Sequence, residues 1–209
     1  MTASRSKIVA ALLVLASTAC ATGSYRSGMP VEYVNARETS ITDGTGIESR
    51  DIISMTDAMV RDMLANYAIS GRRVAPVVIL DSKHFENDSS HPINKNLITD
   101  RLRIHLTRAA NGRIRFIARE RIGMVEQERA LKRDGIVGNA TLGRTRQVSG
   151  SDYRLAGRIM SLDGRNGRTG LNSSYYLISF EMVDLETSEI VWGNSYEFKK
   201  IGGDDVSYR

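Results

Sequence analysis

Cysteine occurs once in these 209 residues, at Cys20, and proline three times. A single thiol excludes an intrachain disulfide and any metal site built on paired cysteines. No apolar run is long enough for a transmembrane helix. The one from Ile8 to Ala16 is roughly ten residues, where about 17–25 are needed. The charge balance, 29 basic against 24 acidic residues, is too even for the dense basic surface of a nucleic-acid binder. No Gly-x-Ser-x-Gly elbow is present. Glu126 and Glu128 flank Gln127 on an expected helix, so they point apart and do not form a carboxylate pair. These absences leave catalysis without a constellation, and no cofactor, metal or small-molecule substrate is expected.

What is present begins with a leader. Arg5 and Lys7 precede the apolar run, and Ser17-Thr18-Ala19-Cys20 closes it. A charged segment, an apolar segment and a small-residue cleavage site in that order read as a signal peptide over residues 1–19. An exported chain has no second cysteine to pair with Cys20, so this thiol reads as the lipid-attachment site, with Ser17 standing where a lipobox usually has leucine. An ordinary signal-peptidase site with a leftover cysteine is the alternative. Three acyl chains, at about 0.8 kcal/mol per buried methylene, make such an anchor effectively permanent. Ala21, and not aspartate, in the second mature position points to the outer membrane, with the domain facing the periplasm. Loss of Arg5 and Lys7 leaves 27 basic and 24 acidic residues, a net charge of +3.

Residues 20–50 read as lipid anchor and flexible tether, and residues 51–209 as one globular domain. A coil of about 30 residues has a typical span near 30 Å. The first helix is expected from Asp51, with Ile53, Thr56, Met59, Val60, Met63, Leu64 and Tyr67 at helical spacing and Ser70-Gly71 as its stop. Ala75 to Asp81 reads as a strand buried on both faces, followed by a long polar loop from Asp81 to Asn94. Leu97, Ile98, Leu102, Leu106 and Ala109 mark a second helix ended by Asn111-Gly112. A strand over 113–119, a helix over 121–133 and a strand over 153–161 follow. A hairpin of 175–184 and 190–199 closes the domain, with Trp192 read as a core residue and not an interface anchor. The order implies an α/β domain (or α+β) with a mixed sheet flanked by helices.

Several segments resemble chemical motifs without completing one. Gly138 to Thr145 approximates a P-loop but has Arg144 in place of the lysine and no strand leading in. Gly164 to Gly170 is glycine-rich and basic, and reads as a hairpin tip ahead of an anion nest. Asp81, His84, Asp88 and His91 share one segment but not a ligand spacing, and His105 lies on a helix.

The ordered segments resemble the LpoB family, outer-membrane lipoprotein activators of penicillin-binding proteins. The carrying residues are Met63-Leu64, Val78-Ile79-Leu80-Asp81-Ser82, the Asn87–Asn94 segment, Asn111 to Phe116, and above all Met182 to Trp192. The resemblance spans roughly residues 54–199. It implies a domain similar to the amino-terminal domain of TolB, and a regulator that binds a class A penicillin-binding protein and stimulates it by contact. Two departures stand out: the tether is short, with only Met29-Pro30 in it, and Ser188 occupies a turn position where glycine is usual. A secretion-associated lipoprotein with a CsgG-related domain is the alternative, but it needs amphipathic membrane-spanning hairpins. A segment this long and polar on a rigid scaffold suits recognition. The expected partner-binding residues are therefore Asp81, Ser82, Lys83, Asn87, Asn94 and Lys95.

Overall fold

A computed structural model of the chain describes residues 31, 33–39, 43–138 and 147–203. The signal segment and Cys20 lie outside the described residues, as does most of the P-loop-like stretch. The chain divides into Met1–Tyr33 and Val34–Arg209. Of the first unit only Val31 and Tyr33 are described, both exposed.

The second unit is built on a five-stranded mixed sheet in the order β2-β1-β3-β4-β5. Its strands are β1 (Val77–Asp88), β2 (Arg115–Ile117), β3 (Tyr153–Arg165), β4 (Asn172–Asp184) and β5 (Ile190–Gly202). β1 runs parallel to both β2 and β3, whereas β3, β4 and β5 form an antiparallel meander. Central placement explains why Val77 to Asp81 are all buried, as their unbroken apolar run predicts. The parallel pairs need crossovers. One is supplied by α3 (Lys95–Ala110), the other by a 3-10 turn (Arg119–Arg121) and α4 (Ile122–Arg133).

One face of the sheet carries the core. Ser174, Tyr176, Ile178, Phe180 and Met182 alternate inward along β4. They meet Met55, Met59 and Met63 of α1 (Ser49–Ala65) and Ile98, Leu102 and Leu106 of α3 in one buried cluster. Trp192 joins it at 5 % exposure and donates its indole N–H to Asp62 at 2.8 Å, so the core reading of this tryptophan holds.

Four local differences from the sequence expectations have identifiable causes. α1 starts at Ser49, two residues early, because Glu48 and Asp51 form a reciprocal capping box. Residues ahead of it belong to the compact unit: Thr45 is buried and Lys200 donates to the Gly46 carbonyl at 2.8 Å. Tyr67 leaves the helical face and is 81 % exposed, since Asn66 breaks α1 and caps the one-turn helix α2 (Tyr67–Ser70). The buried stripe of α3 ends on Ala110 where Ala109 was expected, and Leu97 faces out. The helix does end at Asn111 in the left-handed region.

Candidate partner-binding site

The six expected contact residues fall on β1 from Asp81 onward, the short connection after it and the start of α3. The long loop expected from Asp81 to Asn94 is not one. The strand continues to Asp88, and only residues 89–94 connect it to α3. Its polar composition hid the strand. Glu86 and Asp88 are exposed and pair with Arg158 at 2.7 and 3.5 Å, so no apolar alternation marks them.

Pairing with β3 breaks between Leu80 and Phe85, which face Leu155 and Gly157. Four residues of β1 thus stand opposite Ala156 alone, a wide bulge that projects Lys83 and His84 into solvent. Asp81 anchors the base of this bulge. It is buried, accepts the Lys83 backbone N–H at 3.2 Å and sits 3.8 Å from the Arg154 guanidinium. Phe85 anchors the other end by stacking on Phe180 at 5.4 Å.

The connection is held by its own side chains. Asn87 donates to the His91 carbonyl at 2.9 Å and accepts from the backbone and hydroxyl of Ser89. Ser90 donates its hydroxyl to Asp163 at 2.6 Å, and His91 Nδ1 lies 2.7 Å from the Tyr176 hydroxyl. Burial pushes the Asp163 carboxyl up, but hydrogen bonds from Ser174, Ser90 and Ser161, with His91 nearby, outweigh it and hold the carboxyl below its ordinary range. Serine, histidine and aspartate meet here: the Ser90 hydroxyl donates to Asp163, and its Oγ also lies 3.1 Å from His91 Nδ1. The cluster clamps the connection onto β3.

Asn94 is the N-cap of α3, accepting from Asn96 and Leu97. Of the six expected residues, Asp81, Asn87 and Asn94 are thus committed to internal bonds. Ser82 and Lys95 are half-buried and Lys83 is exposed. Two features escaped the sequence reading: the bulge, and His91 with its phenol partner. Gly157 opposite Phe85 was the available signal for the first, because an isolated glycine in a strand marks close approach.

The other candidates resolve as secondary structure. The 166–171 segment is the β3–β4 hairpin tip, where Asn166 accepts from Arg168 and Thr169, and Gly170 donates to the Asn166 carbonyl. His84 and His91 are separated by the strand and its clamp, and His105 lies 3.9 Å from Asp57. Among the described residues, none of the helices is long and apolar enough to cross a membrane.

No curated protein sequence matches this chain. The C-terminal domain of LpoB from Escherichia coli is 21 % identical, covering 71 % of this chain and 98 % of that one, with a TM-score of 0.44. The corresponding domain from Salmonella enterica is 18 % identical with the same coverages and a TM-score of 0.43. Lipoprotein GNA1162 from Neisseria meningitidis is 15 % identical over 63 % of this chain and 86 % of that one, with a TM-score of 0.32. Residues 51–198 match the family described as peptidoglycan-synthase activator LpoB; this is more than half of the chain, which therefore belongs to the LpoB family.

Proposed function

We propose that this chain is an outer-membrane lipoprotein, anchored through Cys20, that binds a class A penicillin-binding protein and stimulates its synthesis of peptidoglycan by contact, without turnover of its own. The observation that carries the reading is the family match over residues 51–198, which runs from most of α1 to most of β5. The lone cysteine behind a signal-like segment supports the anchor. The stretch ahead of the domain serves as the tether, so effective concentration at the synthase depends on its length.

The secretion-pore alternative is disfavoured by the β3–β4 hairpin. Its apolar face, with Ile159, Tyr176, Ile178 and Phe180, is consumed by the domain core and not available to lipid.

Lys83 on the bulge and Lys95 at the head of α3 are the proposed synthase contacts. The test is direct binding of the mature chain to a purified class A synthase. Lys83→Glu and Lys95→Glu are expected to weaken it by about tenfold at unchanged melting temperature. Wild-type binding with no effect of either substitution removes this face. Absence of binding to any class A synthase removes the reading.

A further inference from the structure

Helix α4 buries none of its residues, in contrast to α1 and α3. Met124 is 63 % exposed, and Ile136 just beyond the helix is 70 % exposed. Between α4 and residues 147–149 lies a groove of about 390 Å³ lined by Ile122, Val125 and Val148 together with Arg119, Arg121 and Arg129. Arg119 is steadied by a 3.1 Å bond to the Ser149 carbonyl. Two of the acids nearby are engaged: Glu120 with Arg103 and Arg121, Glu128 with Lys132. Residues 113–138 hold seven basic and four acidic side chains, an excess of three out of the chain's formal +5.

We infer that this face, the 3-10 turn with α4 and residues 147–149, docks the domain onto a leaflet of anionic phospholipid. Exposed apolar side chains ringed by guanidinium groups match that surface, since the planar fork pairs with headgroup phosphates while the methionine and isoleucine enter the acyl boundary. The choice of a lipid leaflet over an acidic protein segment comes from the tether, and here the argument rests on the lipid reading of Cys20. Only 13 residues separate Cys20 from Val34, at most about 45 Å even fully extended. A lipid at Cys20 therefore keeps a bilayer at high effective concentration beside the domain, and its charge is opposite to that of this face.

The test uses the mature chain from residue 20 with Cys20→Ser, which keeps the whole compact unit from Val34. It is floated with vesicles of phosphatidylethanolamine containing roughly a third phosphatidylglycerol, and with phosphatidylcholine vesicles as the uncharged control. Binding to the anionic vesicles only is expected, falling at least about tenfold when ionic strength rises from about 0.1 M to 0.5 M. Arg119→Glu with Arg121→Glu, and separately Met124→Asp, each reduce it by about tenfold or more. Lys83→Glu leaves it unchanged. Met124 is exposed, so its variant keeps the fold and the test stays decisive if the double arginine variant does not. Equal binding to both vesicle types, no binding, or full binding by the variants overturns the proposal. Variants that lose synthase stimulation while binding vesicles normally assign the face to a protein partner and overturn it as well. No lipid anchor enters this assay, so its failure is distinct from a failure of the Cys20 reading, which is judged by whether Cys20→Ser in cells leaves the outer membrane.

Discussion

Phe85 occupies the space that a side chain at Gly157 would need: a Cβ there would lie 2.4 Å from the Phe85 ring and 3.0 Å from Phe180. The ring is pinned against Phe180, so it has little freedom to retreat. This contact restarts the β1–β3 pairing after the bulge and thereby holds Lys83 and His84 outward.

Gly157→Ala should therefore destabilise the domain by about 1–3 kcal/mol, the range for overpacking a close-packed core. Urea unfolding of the two proteins measures it. An unchanged midpoint would mean that Phe85 does not close the bulge in this way.

The bulge also marks the limit of what was legible in advance. Val77 to Leu80 were legible as an unbroken apolar run, Met59 and Met63 of α1 by their helical spacing, and the β4–β5 hairpin by its turn, which holds Ser188 at a φ of 64° as the expected glycine position implies. The second half of β1 was not, because Glu86 and Asp88 answer to Arg158, a pairing between residues 72 and 70 positions apart. Part of the candidate site was opaque for the same reason. Asp81, Asn87 and Asn94 have the composition of a recognition loop, yet each spends its side chain on local backbone. Sequence cannot distinguish the two uses of an asparagine.

Lys200 joins the last strand to the first helix. Its ammonium pairs with Asp51, which is only 9 % exposed, and donates to the Gly46 carbonyl. Lys200→Ala leaves that nearly buried carboxylate with only the longer 3.9 Å approach of Arg50, and is expected to cost about 1–3 kcal/mol. Hydrogen exchange should report the loss at the start of α1 as well as along β5. A change below about 0.5 kcal/mol would contradict the assigned role.

Acid sensitivity follows from two carboxyls held below their ordinary value of 3.8. For Asp163, burial opposes the shift and the three serine hydroxyls with His91 outweigh it. For Asp184, the backbone N–H groups of Glu186 and Thr187 cause it. A depressed folded pKa contributes stability that is complete above the unfolded value and is lost as pH falls through the folded one. Stability of the wild type should thus decline below about pH 4 more steeply than that of Asp163→Asn with Asp184→Asn, the two curves converging in strong acid. Parallel curves from neutral pH down to the acid limit would show that neither carboxyl is linked to folding.

The central claim is activation by contact, and the most direct measurement is the rate of glycan-strand polymerisation by a purified class A penicillin-binding protein with and without the mature chain, in solution and without a membrane. A saturable, severalfold rise in rate is predicted, reduced by Lys83→Glu and Lys95→Glu and absent when the chain is incubated with lipid-linked precursor alone. A rate that stays at its basal value for every class A synthase, at chain concentrations well above the enzyme's, would contradict the account.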